Sequence, residues 1–190
     1  MQTLLDLDKE LLLFLNDLHA PWLDPVMMWA TKTIFWLPLY LYLVYLIIKF
    51  KKWDTLYVLL GVALTITLAD QITSGFMKPF FERLRPSQDP ALAGLVHLVN
   101  NYKGGLYGFA SSHAANTFGT ATMIFLLFRA RYTWIWLIFI WALLVSYTRI
   151  YLGVHYPGDI MVGGFIGVLC GWAGFLFANW LLHRFGKKTH

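Results

Sequence analysis

Two histidines, a carboxylate and three cations occupy three short blocks of this 190-residue chain: Lys78 with Arg85-Pro86, then Ala110-Ser111-Ser112-His113, then Thr148-Arg149 with His155 and Asp159. These residue types suit the binding and cleavage of a phosphate ester without a metal. Fixed positive charge holds the phosphoryl oxygens, one imidazole attacks phosphorus, and another protonates the leaving group. Asp159 lies four residues after His155, and Pro157 between them suits the first position of a helix. The carboxylate then reaches back to one ring nitrogen, fixes the tautomer and leaves the other nitrogen as a nucleophile. The alternative is that Asp159 only caps a helix and His155 lies in a wet loop. His113 follows two serines where a helix begins, a place whose free N–H groups favour an anion and where an imidazole can act as general acid. There the alternative is a capping serine beside an interfacial histidine. For Lys78 and Arg85 it is ordinary snorkelling at a membrane surface.

Asp70 and Ser74 precede Lys78 at four-residue steps, so one helical face carries all three. Asp70 is then either a partner for a cation or a polar contact between helices. His113, His155 and Asp159 also have the chemistry of metal ligands. The three accompanying cations would repel a metal ion, so no metal and no other cofactor is expected.

The elements that carry these blocks are membrane helices. Hydrophobic residues make up 58% of the chain and charged ones only 13%, with a mean hydropathy of +0.58. A soluble domain of this size could not cover so much apolar surface. Nine Trp and ten Tyr suit interfacial belts. The net charge of +5 is scattered among apolar spans, which argues for topology and an anionic substrate and against nucleic acid. The single cysteine, Cys170, can form no intramolecular disulfide.

Residues 4–18 form an amphipathic helix, with Leu4, Leu7, Leu11, Phe14, Leu15 and Leu18 on one face and Asp6, Lys9, Glu10, Asn16 and Asp17 on the other. It is too polar to span and is expected at the interface; packing on the outside of the bundle is the alternative. Pro21-Trp22-Leu23-Asp24-Pro25 is a turn with an aromatic anchor. Five spans follow, set against a hydrocarbon core of about 30 Å. They cover residues 26 or 32 to 48, 55–77, 114–128, 132–147, and 159 or 160 to 182. The expected fold is therefore all-α, a polytopic transmembrane bundle of about five spans plus the amphipathic helix, six helices in all. It forms a single domain over 1–190, with an interfacial helix and turn at 1–25 and an active-site loop at 78–113. No cleavable signal peptide is expected, because Asp6, Asp8 and Glu10 stand where a signal carries positive charge.

With five spans, Lys49, Lys51, Lys52, Arg129, Arg131, Arg184, Lys187 and Lys188 share one side, which is the cytoplasm by the positive-inside rule. All three chemical blocks then meet at the outer face.

The blocks resemble the signature of the type 2 phosphatidic acid phosphatase superfamily: K-x6-R-P, then P-S-G-H, then S-R-x5-H-x3-D. Lys78, Arg85 and Pro86 match the first; Ser111 and His113 match the second, with Ala110 for proline and Ser112 for glycine; Arg149, His155 and Asp159 match the third, with Thr148 for serine. The resemblance implies His155 as nucleophile forming a phosphohistidine, Asp159 as its orienting partner and His113 as leaving-group acid. It implies phosphate binding by Lys78, Arg85, Ser111 and Arg149, and by the backbone N–H of Ser112 at the glycine position.

The function expected from this resemblance is hydrolysis of a lipid phosphate monoester or diphosphate at the outer face of a bacterial inner membrane. The lipid phosphate and the bilayer are the expected partners, with neither nucleic acid nor an obligate protein partner. The short chain resembles undecaprenyl diphosphate phosphatases, with phosphatidylglycerophosphate, phosphatidic acid or a lipid A phosphate as alternative substrates. A lipid or anion transporter is the competing class, but it does not require Asp159 four residues after His155. A haloperoxidase does not fit a chain built for a membrane.

Overall fold

In the computed structural model, which describes residues 2–186, the chain is a bundle of α-helices without strands among those residues. Lys187 and Lys188, counted above with the basic ends, lie outside the described residues. Helix α1 (Gln2–Asp17) leads through a turn to the short α2 (Asp24–Ala30). The Trp36 indole donates to Ala30 O at 2.7 Å, so the chain turns there, and α3 (Leu37–Lys51) begins only after a tight 3-10 turn at Thr33–Trp36. The first span accordingly starts near residue 33, and the alternative start at 26 falls away.

The helical run Thr33–Phe81 is 49 residues long, but it doubles back at Lys52, whose φ is 48°. Helix α4 (Thr55–Asp70) continues through a π-helical stretch, Gln71–Met77, into α5 (Lys78–Phe81). Beyond the long loop at 82–111 come α6 (Ser112–Phe128), α7 (Ile138–Tyr151) and α8 (Pro157–Phe185). Helices α7, with its leading turn from Thr133, and α8 are long and apolar enough to cross a membrane. Helix α6, at 17 residues, is the short central span. Fourth and fifth spans run longer than the sequence suggests, to Tyr151 and Phe185, which puts Arg149 inside the last turn of α7.

The spans alternate in direction. At one end Phe50 packs on Phe128 and Tyr132, and the Tyr57 hydroxyl donates to Phe185 O at 3.2 Å. The Arg131 guanidinium lies 4.1 Å over the Phe50 ring at this same basic end. At the opposite end Lys78 meets Ser112, and the Ser111 N–H donates to Asp159 O at 3.0 Å. The three chemical blocks therefore share one end of the bundle.

Helix α6 is locked to α8 by close backbone approach. Gly163, Gly167 and Gly171 recur every four residues along α8 and sit on the carbonyls of Ser111, Ala115 and Gly119, spaced likewise along α6. Small residues in such a register let two helices approach until their backbones touch. The helix carrying His113 is thereby fixed against the helix that starts beside His155.

Helix α1 does not lie apart at the interface. It docks on the end of the bundle that holds the three blocks, with a mixed stripe of Asp8, Leu12 and Asn16 inward while Asp6, Glu10 and Asp17 stay exposed: Leu12 and Asn16 are buried, and Asn16 Nδ2 donates to Tyr151 O at 2.8 Å. Leu4, Leu7, Leu11, Phe14 and Leu18 face outward and are exposed, as a helix in the headgroup region requires.

Gly167→Ala forces a methyl group onto the Ala115 carbonyl and should cost about 1–3 kcal/mol, the range for overpacking. Gly75→Ala, whose added carbon would meet only the flexible Gln71 amide, at 3.1 Å, should be nearly neutral. Thermal unfolding in detergent compares the two; equal melting temperatures would refute the role given to the α6–α8 contact.

Candidate active site

The loop between α7 and α8 is wound tightly around Arg149. Gly153, at φ 68°, makes the reversal, and Val154 and His155 both donate their N–H groups to Arg149 O, at 3.0 and 3.2 Å. Pro157 then opens α8. The Tyr156 N–H donates to Asp159 Oδ2 at 3.0 Å, and the same oxygen lies 3.2 Å from His155 Nδ1. The spacing read from the sequence thus brings the two side chains together, at 1% exposure for His155 and 0% for Asp159. Burial first, then the positive charges of Arg85, Arg149 and Lys78, hold the His155 imidazole well below the ordinary histidine range. It is neutral at neutral pH, as a nucleophile must be.

At the start of α6, Ser111 caps the helix, its Oγ accepting from the Ala114 N–H at 3.4 Å. His113, the second residue of the helix, lies within electrostatic range of His155, Arg149, Lys78 and Arg85. Ser112, which stands where the family has glycine, turns its hydroxyl toward α4 and α5. Its Oγ lies 2.9 Å from Thr73 Oγ1 and 2.7 Å from Ser74 Oγ, and it accepts from Lys78 Nζ at 2.8 Å. The serine therefore positions the lysine. Ser74, on the face predicted to carry it, accepts from Lys78 at 3.0 Å. Asp70 acts on Lys78 only through space.

Arg85 is held by an antiparallel bridge between Leu84 and Tyr107. Its N–H donates to Leu106 O at 3.0 Å, and its Nε to Tyr107 O at 3.1 Å. Gly104 and Gly108 lie flush against this side chain, and a carbon added at Gly108 would also stand 3.0 Å from Asp159 Oδ2. Arg149, 2% exposed, donates from Nη1 to Thr31 Oγ1 at 2.7 Å, while its Nε has no partner. Among the described residues, no carboxylate pairs with Lys78, Arg85 or Arg149. Three cations gathered in a buried site without compensation are costly, and they are relieved by an anion with several oxygens.

Asp159 is neutralised by a different cation. Arg83 Nη1 donates to Asp159 Oδ1 at 3.0 Å, and Nη2 to Asp8 Oδ2 at 2.7 Å. Asp8 also accepts from the Gly158 N–H at 2.7 Å, so α1 is tied to the first turn of α8. The sequence reading passed over Asp8, Arg83, Thr31 and the Tyr102 ring near Arg149. A usable signal existed for two of them. Asp8, Leu12 and Asn16 form a four-residue stripe on α1, and Arg83 and Arg85 alternate in an extended segment. Both Asp159 oxygens are already engaged, and no group of three or more His, Cys, Asp or Glu among the described residues could hold a metal.

Asp8→Asn leaves Arg83 with Asp159 as its only anionic partner, drawing that carboxylate away from His155. The expected result is a fall in kcat of about tenfold with KM little changed, and partial recovery in Asp8→Glu. Unaltered kcat in Asp8→Asn would show that α1 has no part in positioning.

Comparison with known proteins agrees with this geometry. Residues 55–182 match the PAP2 superfamily model. Over its whole length the chain is 42% identical to a lipid A 4'-phosphatase of Bacteroides thetaiotaomicron, covering 84% of that protein. A lipid A 4'-phosphatase of Porphyromonas gingivalis is 35% identical across 90% of this chain and 72% of its own length. The fold resembles the crystal structure of Aquifex aeolicus LpxE, with a TM-score of 0.66 and 28% identity over 90% of this chain and 95% of that one. The chain belongs to the PAP2 superfamily and is a multi-pass membrane lipid phosphatase.

Proposed function

We propose that this enzyme removes a phosphate from lipid A at the periplasmic face of the bacterial inner membrane, through a phosphohistidine on His155. The observation that carries the phosphoryl chemistry is the trio of half-buried Lys78 with buried Arg85 and Arg149, which among the described residues no carboxylate pairs with and which faces a neutral histidine backed by Asp159. The lipid A assignment rests on the two phosphatases to which the chain is most extensively similar among those compared. It displaces undecaprenyl diphosphate, which the sequence reading put first.

In this mechanism the cations hold the phosphate oxygens, and Ser111 with the first N–H groups of α6 adds neutral donors. The unprotonated His155 nitrogen attacks phosphorus. A phosphorus–nitrogen bond forms, the bond to the sugar oxygen breaks, and His113, which holds a proton once the bound phosphate offsets the cations around it, donates that proton to the same oxygen. Asp159 stabilises the charge on the ring of His155. Water then attacks the phosphohistidine, His113 takes a proton from it, and the phosphorus–nitrogen bond breaks to release phosphate.

Purified protein, treated with chelator, is assayed for phosphate release from lipid A, undecaprenyl diphosphate, phosphatidylglycerophosphate and phosphatidic acid. Lipid A should be the fastest. His155→Ala should be inactive, and His113→Ala should retain labelled phosphate on the enzyme when the leaving group is good. Faster release from undecaprenyl diphosphate would overturn the substrate assignment, and turnover by His155→Ala would overturn the nucleophile.

Sidedness is tested separately. In a Cys170→Ser background, Gln88→Cys should react with a membrane-impermeant thiol reagent in intact spheroplasts, and Lys52→Cys should not. The reverse pattern would place the site in the cytoplasm.

A further inference from the structure

Between the first and second chemical blocks the long loop bends sharply at 99–104. Asn100, Asn101 and Gly104 all lie in the left-handed region, at φ 51°, 55° and 67°. Glycine enters that region freely, and asparagine more readily than most side chains, but each asparagine there still gives up some stability. Two contacts hold the bend: the Tyr102 N–H donates to Val99 O at 3.0 Å, and Ser87 Oγ donates to Lys103 O at 2.7 Å. Backbone in sparsely populated conformations persists where the direction of a side chain matters. Here the side chain so directed is that of Tyr102.

The Tyr102 hydroxyl lies 3.5 Å from Arg149 Nη2, and its ring centre 5.7 Å from the guanidinium carbon. Two residues on, Gly104 lies against Arg85 Nη1. One short segment therefore touches both arginines of the phosphate site. Burial alone would push the Tyr102 phenol up, but the bond from Arg149 and the positive charges of Arg149 and Arg85 outweigh it and hold the phenol below the ordinary tyrosine range. At 3.5 Å the contact with Arg149 is at the long limit for a hydrogen bond, so it satisfies neither partner. The hydroxyl accepts there, and among the described residues no acceptor takes its own proton. A polarised O–H beside two guanidinium groups is suited to an anion, since hydrogen bonds to a charged oxygen are the strong ones.

We infer that Tyr102 is a further phosphate-binding residue, its hydroxyl donating to a non-bridging oxygen of the substrate phosphate held by Arg149 and Arg85. The inference rests on the phosphate-site reading above and deepens it. A hydroxyl adds a donor without adding to the repulsion among the three cations. Because the bend fixes it in advance, it needs no reorganisation as charge develops on the phosphate oxygens.

Wild type, Tyr102→Phe and Tyr102→Leu are compared for kcat/KM on the lipid phosphate that the wild type cleaves fastest, for inhibition by orthovanadate, and for melting temperature. Tyr102→Phe keeps the ring against Arg149 and loses only the O–H. It should weaken vanadate inhibition and lower kcat/KM, each by about tenfold, at an unchanged melting temperature, and Tyr102→Leu should match it. Vanadate inhibition of Tyr102→Phe equal to that of the wild type overturns the inference. So does a loss confined to Tyr102→Leu, which assigns the role to the ring, or a fall in the melting temperature of Tyr102→Phe, which assigns it to folding. Tighter inhibition of Tyr102→Phe overturns it too, because the hydroxyl would then compete with the anion. A wild type that vanadate does not inhibit overturns the phosphate-site reading itself, and the inference with it.

Discussion

One buried carboxylate, Asp159, shares one end of the bundle with Lys78, Arg83, Arg85 and Arg149, and among the described residues Arg83 is the arginine or lysine that pairs with it. The other three, Lys78, Arg85 and Arg149, are left with hydroxyls and backbone carbonyls as partners. This imbalance shapes the rest of the site. Together with burial, which acts most strongly, it keeps His155 neutral, because a protonated ring would add a further positive charge to the cluster. It also explains why so many hydroxyls gather here. Ser74, Ser112 and Thr31 accept from the cations without cancelling their charge, which leaves that charge for a phosphate.

Such a cluster persists only if the frame around it cannot relax. Asp159 is the point where the frame closes. Its side chain meets Arg83 from the long loop, its main-chain carbonyl accepts from Ser111 at the start of α6, and Arg83 carries the connection on to Asp8 of α1. The glycines of α8 bring α6 near enough for the Ser111 contact. Packing between small residues thus sets the distance between His113 and His155, two residues separated by a whole helical hairpin. Helix α1 adds a strap, with Asp8 and Asn16 turned inward and Leu4, Leu7, Leu11, Phe14 and Leu18 exposed on its other face, the pattern of a helix in the headgroup region.

Much of this was legible in the sequence, for definite reasons. The pair His155 and Asp159 is local, fixed by a proline and four residues of spacing. The direction of the spans follows from basic residues at alternate ends, a signal that survives errors of several residues in the boundaries. What escaped were contacts between distant segments with no fixed spacing. Arg83 read as a loop cation because its partners, Asp8 and Asp159, lie about 75 positions away on either side. Ser112 read as a departure from the family's glycine that keeps its backbone N–H, and its hydroxyl proves to be turned to Lys78. The substrate was the least legible feature. The motif accounts for a phosphate, whereas no fixed spacing in the sequence names the lipid that carries it.

The central claim, that the half-buried Lys78 and the buried Arg85 and Arg149 stand without a carboxylate partner until an oxyanion arrives, is tested most directly by thermal unfolding of the chelator-treated protein with and without orthovanadate. The expected result is a rise in melting temperature for the wild type and its loss in Arg149→Leu, whose unliganded form melts no lower than the wild type because one repelling charge has been removed. A wild type that vanadate stabilises only when a divalent metal is restored, or not at all, would contradict it.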